Sequence, residues 1–253
     1  MIVRDFMDIA SVARLRRLPA PGRIVRIAEC TGGKAGIVSN CLPPRPNYAR
    51  TPPPEFALQE NQAVFGGYTL TGPAAWQVDD ANEALTCRVT LHAGETAAFT
   101  LATEDDATLP QLTPADSLKV TTDYWRQWSG ACTYDGPYRD IVIRSALALK
   151  LMTYEPSGAI VAAPTTSLPP ETFGGERNWD YRFTWIRDAS FTLYALLLAG
   201  YLDNEQPFFD WLVRTVKLKG TGISILYPPI IPESRTAEEV LDHFRGGTAT
   251  PGR

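Results

Sequence analysis

The periodicity of this chain changes once. Up to about residue 112, apolar residues recur at every second position in short runs; from Thr113 onward they recur at helical spacing. A single switch of this kind describes an α+β protein whose β part comes first. The 253 residues suffice for two modest domains, each with a core of its own. The spacing divides the chain into a β-rich region over 1–112, a linker helix region over 113–136 and a helical region over 137–253.

In the first region Leu85-Thr86-Cys87-Arg88-Val89-Thr90-Leu91 alternates cleanly, and Ile24-Val25-Arg26-Ile27-Ala28 more loosely. Ala97-Ala98-Phe99-Thr100-Leu101-Ala102 follows the 85–91 run after His92-Ala93-Gly94-Glu95, which predicts a hairpin. Six prolines between Leu42 and Pro54 exclude regular structure there. The whole reads as part of an antiparallel sandwich. In the second region Pro114-Ala115-Asp116 opens a helix that carries Tyr124, Trp125 and Trp128 and stops near Gly130. Asp135-Gly136-Pro137 offers a cap and an early proline for a helix over 137–153. Further helices are expected over 187–199, closed by Gly200, over 205–217, and briefly over 237–244.

Composition excludes several functions. A formal net charge of -4 gives no reason to expect nucleic acid or an anionic membrane as partner. Four cysteines without Cys-x-x-Cys spacing, and two histidines, leave no pattern for a metal site. No cofactor motif is present. The first residues lack the basic and apolar regions of a signal peptide, and the apolar run from Leu193 to Ala199 is too short to span a bilayer. A cytoplasmic protein is expected.

The segment richest in chemistry is Gly174-Gly175-Glu176-Arg177-Asn178-Trp179-Asp180-Tyr181-Arg182-Phe183-Thr184-Trp185-Ile186-Arg187-Asp188. Aromatic rings suit the C–H faces of a pyranose, while Arg and Asp suit its hydroxyl edge through charge-assisted hydrogen bonds. The same residues fit a structural role: Asp188 as a cap or dipole partner, Arg187 as its ion-pair neighbour, the tryptophans as core. Spacing does not decide between these.

The run Thr165-Thr166-Ser167-Leu168-Pro169, then Gly175-x-Arg177-Asn178-Trp179-Asp180-Tyr181-Arg182, then Trp185-x-Arg187-Asp188-Ala189, resembles glycoside hydrolase family 15. Trp125-x-x-Trp128-Ser129 and Tyr134-Asp135-Gly136-Pro137 are similar to its bacterial branch, and the likeness is strongest over 117–217. The family holds glucoamylases, glucodextranases and trehalases. The resemblance implies an N-terminal β-sandwich, here partial, followed by part of an (α/α)6 toroid. It implies that Arg187 and Asp188 hold the outer hydroxyls of the non-reducing-end glucose, that Trp185 packs beside it, and that Tyr181 sits near the scissile bond. Asn178, Trp179 and Asp180 read as scaffold.

Family members invert at the anomeric carbon, which needs an acid and a base spaced roughly 6.5 to 9.5 Å apart to admit a water. The resemblance places both glutamates on later loops of the toroid. Glu171, Glu176, Glu233, Glu238 and Glu239 do not match them and read as surface residues, so no catalytic residue is assigned. Both ends of the chain look cut, and a frameshift near residue 246 is expected; sequencing the gene tests it. Two readings follow. One is an α-glucoside or trehalose hydrolase, truncated and inactive alone. The other is a non-catalytic fragment or pseudogene product with at most weak sugar binding.

Overall fold

Alternating residues build two antiparallel sheets in the first of two compact units, Met1–Trp125; the second unit is Arg126–Arg253. The structure is a computed structural model that describes residues 1–9, 22–43, 51–79, 83–103, 112–164, 181–202, 205–219 and 226–229. Outside these lie the motif runs 165–169 and 174–180, with Asn178, Trp179 and Asp180. Glu171, Glu233, Glu238, Glu239 and the short helix expected over 237–244 also lie outside them.

The strands of the first unit are β1 (Ile2–Met7), β2 (Ile24–Glu29), β3 (Lys34–Cys41), β4 (Ala57–Gln59), β5 (Gln62–Phe65), β6 (Tyr68–Thr71), β7 (Trp76–Asp79), β8 (Ala84–His92) and β9 (Thr96–Thr103). Six form one sheet in the order β1-β2-β9-β6-β5-β4, and three form another in the order β3-β8-β7. One core joins them: Phe65, Leu70, Ala97 and Phe99 from the first sheet meet Trp76, Leu85, Cys87 and Leu91 from the second. Period-2 alternation turns one face of each strand inward, so two facing sheets bury both apolar sets.

The expected hairpin over 85–102 is corrected. Both strands exist, but β8 pairs with β3 and β7, while β9 pairs with β2 and β6. The chain crosses between sheets at His92–Glu95. There Gly94 takes a positive φ of 86°, which glycine adopts without strain. The backbone bonds of this turn run largely to another segment: Gly94 N–H to the Cys30 carbonyl at 2.8 Å and Ala93 N–H to the Gly33 carbonyl at 2.9 Å. A hairpin would put Leu85, Cys87 and Leu91 in the same sheet as Phe99. In a sandwich they face it.

Helix α1 (Pro114–Gly130) begins where the period changes. Thr113 caps it, its hydroxyl accepting from Asp116 N–H at 3.2 Å and donating to the Asp116 carboxylate at 2.7 Å, with proline in the first helical position. A polar clamp ties this helix to the sheet. Asp8, just after β1, and Arg23, just before β2, pair at 2.5 Å with side chains only 3% and 5% exposed. Arg23 also donates to the hydroxyl of buried Ser117 on α1 at 3.3 Å.

The second unit is helical with short strand pairs: α2 (Arg139–Leu151), β10 (Thr153–Tyr154), β11 (Ala159–Ile160), β12 (Thr184–Trp185), α3 (Ile186–Leu198), α4 (Glu205–Lys219) and β13 (Leu226–Tyr227). Helix α2 starts two residues later than the expected 137. Arg139 N–H bonds the Gly136 carbonyl at 3.1 Å, so Asp135-Gly136-Pro137 is spent on a turn ahead of the helix. The chain after α2 forms the β10–β11 hairpin. Strand β12 pairs with the sequence-remote β13, and the Ala162 and Ala163 N–H groups bond the Phe183 and Tyr181 carbonyls at 3.0 and 2.8 Å. Ala159, Ile160, Ala189, Phe208, Trp211 and Tyr227 make the core beneath these strands. Gly200, at φ +94°, closes α3. Its N–H reaches the Leu197 carbonyl while Tyr201 N–H reaches that of Leu196, the paired bonds of a Schellman cap. Among the described residues no helix is long and apolar enough to cross a membrane.

Candidate functional site

The four residues singled out in the sequence stand together where β12 runs into α3. The register is set by what is buried. Thr184 and Ala189 are both fully buried. Their intervening neighbours Trp185, Arg187 and Asp188 are half-buried or exposed, and Tyr181 is half-buried on the turn before the strand.

The side chains touch in series. Tyr181 and Trp185 stack at 5.9 Å between centroids with 27° between planes. The Arg187 guanidinium lies 5.8 Å from the centroid of the Trp185 ring, within cation–π range. Arg187 then donates through Nε at 3.2 Å and through a terminal nitrogen at 3.1 Å to one carboxylate oxygen of Asp188. The result is a continuous strip: two rings, a cation, an anion.

This strip is not what a stabilising element looks like. The Arg187 side chain is 67% exposed and that of Asp188 32%; ion pairs so placed contribute about 0 to 1 kcal/mol. Asp188 sits in the first turn of α3 and complements its dipole. It does not cap the helix, since the N-cap residue is Trp185 and no side-chain cap bond is made. The second Asp188 carboxylate oxygen and the remaining Arg187 donors are the groups a hydroxylated ligand would use, and the paired rings offer the apolar surface beside them. Among the described residues no cluster of His, Cys, Asp and Glu is arranged to hold a metal ion.

Sequence reasoning missed what lies under the strip. Strand β13 pairs Leu226 with Trp185 and Tyr227 with Thr184, and Trp211 meets the Tyr227 ring edge-on at 6.1 Å. No local signal marks a two-residue strand that finds its partner some forty positions away.

A comparison with protein families places this segment. The model described as "Glycosyl hydrolases family 15" matches residues 136–228, which include the whole strip and its underlying core. Within this segment the chain is similar to glycoside hydrolase family 15. Its curated relatives carry one name. It is 61% identical over 129 residues to a trehalase of Thermoplasma volcanium, covering 51% of this chain and 20% of that protein. Against a trehalase of Mycolicibacterium smegmatis it is 33% identical over 285 residues, covering 97% of this chain and 40% of that protein. A trehalase of Mycobacterium tuberculosis is 50% identical over 99 residues, covering 39% of this chain and 14% of that protein. The chain thus spans less than half the length of each of these relatives. No solved structure matches it significantly.

Proposed function

We propose that this chain carries the glucose-gripping part of an α-glucoside hydrolase of the trehalase type. The observation that carries the reading is the contiguous, solvent-reaching series Tyr181–Trp185–Arg187–Asp188, set inside a family 15 segment. Arg187 and Asp188 take the outer hydroxyls of a terminal glucose as donor and acceptor, Trp185 packs on its face, and Tyr181 lies toward the glycosidic oxygen. Trehalose is preferred over α-1,4- or α-1,6-glucans as substrate because the relatives named above are trehalases.

These four residues bind and orient; they do not cleave. Inverting hydrolysis needs a carboxylic acid at the leaving oxygen and a carboxylate behind the attacking water. Each contributes about 10² to 10⁴-fold. Arg187 offers only hydrogen-bond donors, and Asp188 is engaged with Arg187 at the sugar's outer edge. The first and second regions are read as a sandwich domain over 1–112 and a linker over 113–136. Helices α2 to α4 are read as the opening members of an (α/α)6 ring. The surface of α3 supports this: Phe191, Tyr194 and Leu198 stand exposed at helical spacing, on a helix whose opposite side is already buried. A helix apolar on both sides is one designed to be covered on both. A cytoplasmic setting fits the four cysteines, all free thiols.

The test is a titration of the purified chain with trehalose and with maltose, alongside a glucose-release assay. We expect saturable trehalose binding that Arg187→Ala and Asp188→Ala each remove, and no glucose release. Binding untouched by either substitution refutes the assigned site. Turnover abolished by Asp188→Ala refutes its non-catalytic role.

A further inference from the structure

The start of α3 poses a positioning problem. Its N-cap residue, Trp185, is extended (φ -91°, ψ 126°) and makes no side-chain cap bond. No cap bond therefore fixes the point at which the strand turns into the helix, and the Ser190 hydroxyl, donating to the Ile186 carbonyl at 2.7 Å, ties only the helix to itself; yet Trp185, Arg187 and Asp188 all project from that point. What holds it comes from elsewhere in the chain. Strand β13 pairs with Thr184 and Trp185. Tyr227, fully buried, sets its ring against Trp211 in the cluster that also receives Ala189. The same segment is tied down on its far side, where the Ser157 hydroxyl donates to the Pro229 carbonyl at 2.8 Å.

We propose that Leu226–Pro229 is a strap that sets the geometry of the sugar strip, and that Tyr227 is a positioning residue for Trp185, Arg187 and Asp188 although it never reaches the surface. The inference rests on the reading of that strip as a sugar site. Its physical basis is leverage. Thr184 and Ala189 are both fully buried and bracket the strip, and Tyr227 is the strand partner of one and the core neighbour of the other. Removing its ring opens a space under both, and close-packed surroundings answer such a space by shifting. The Arg187–Trp185 and Arg187–Asp188 contacts then lose alignment together.

The experiment compares Tyr227→Leu, Tyr227→Phe and Ser157→Ala in the full chain. Three readouts are taken: trehalose affinity, melting temperature, and the NMR resonance of the Trp185 indole N–H. Tyr227→Leu should weaken trehalose about tenfold or more and move the Trp185 resonance. Tyr227→Phe keeps the ring and should stay nearer the parent values than Tyr227→Leu in both. Ser157→Ala removes the tie to Pro229 at the strap's far end, along with the bond its hydroxyl accepts from Ala159 N–H at 3.2 Å, and should move both in the same direction by less, so it carries the test if Tyr227→Leu fails to fold. A fall in melting temperature with affinity and resonance unchanged overturns the proposal and leaves Tyr227 an ordinary core residue. Arg187→Ala separates the two claims. If it leaves trehalose affinity intact, the sugar reading falls, and the Trp185 resonance alone then decides whether Tyr227 positions this surface.

Discussion

Two ion pairs, one in each unit, differ in where they sit. In the β unit Asp8 and Arg23 are buried against each other, while Asp5–Arg26 and Arg4–Glu29, each at 2.7 Å, lie at that unit's surface. In the helical unit Arg187 and Asp188 pair at the surface, beside the half-buried rings of Tyr181 and Trp185. A buried pair that is hydrogen-bonded is a commitment the fold cannot release cheaply, because either partner alone is a bare charge in a poorly solvating interior. A surface pair costs little to open, so it can exchange its partner for a ligand. Burial therefore marks Asp8–Arg23 as scaffold; among the surface pairs, Arg187–Asp188 is set apart from Asp5–Arg26 by the stacked rings beside it.

Five substitutions probe that contrast. The largest effect is expected from Asp8→Ala, which removes the carboxylate that buried Arg23 pairs with and should cost about 3 to 5 kcal/mol in urea unfolding. A loss below about 1 kcal/mol would mean that water or another group replaces the carboxylate, and the contrast would collapse.

Gly200→Ala comes next. The residue sits at φ +94°, and an added Cβ would strike the Thr133 side chain. The left-handed backbone alone costs about 1 to 2 kcal/mol for a non-glycine residue, so a loss larger than that is expected, with the steric contact adding to it. A neutral result in thermal melting would show that α3 can end without its Schellman cap.

Tyr201 tests a buried neutral group in the helical unit. It stacks on Trp128 at 4.0 Å between centroids and donates to the Ser129 carbonyl at 3.1 Å. Burial foremost, with the nearby Cys132 thiol, pushes its phenol up from 10.0 to about 12. The folded value is the higher one, so the contribution is complete below pH 10 and is lost as pH rises toward about 12, because the unfolded chain ionises first. Tyr201→Phe should lose about 1 kcal/mol at neutral pH and should flatten this alkaline limb. An unchanged limb would assign it to other groups.

The smallest effect is expected at the half-exposed pair of the β unit. The hydrogen bonds from Arg26 hold the Asp5 carboxyl below its ordinary value of 3.8. The folded value is the lower one. Its contribution is thus present above pH 3.8 and fades as pH falls through that lower folded value. Asp5→Asn should change stability by less than about 1 kcal/mol near neutrality. Arg187→Ala should change it by no more than about 0.5 kcal/mol while removing sugar binding, which is the sharpest form of the contrast.

Much of this was legible in the residues because it depends on neighbours in sequence. The Thr113-Pro114-Ala115-Asp116 start of α1, the closure of α3 at Gly200 and the alternation of β8 and β9 are local. Each is decided by a hydroxyl, a fixed φ or a side-chain period within one or two turns of chain. The strip was legible for the same reason: Tyr181, Trp185, Arg187 and Asp188 span eight positions across one strand-to-helix junction, and the resemblance to family 15 rests on that continuous run.

Pairing was not legible. The residues of β8 and β9 alternate as a hairpin would, but whether two strands adjoin in one sheet or face each other across a core depends on the third strand each one finds. That choice was made by β3 and β2, some fifty and seventy positions upstream. The strap was hidden for the same reason, since two residues carry no period. The chain by itself determined its β-then-α order, the ends of α1 and α3 and the membership of the Tyr181–Asp188 strip. Only the tertiary structure decided that Asp8 and Arg23 meet inside, that β8 and β9 belong to opposite sheets, and that Tyr227 lies beneath Thr184. Each of these is a long-range contact, formed because burying apolar faces and pairing backbone groups across the fold outweighs what any short stretch of sequence prefers locally.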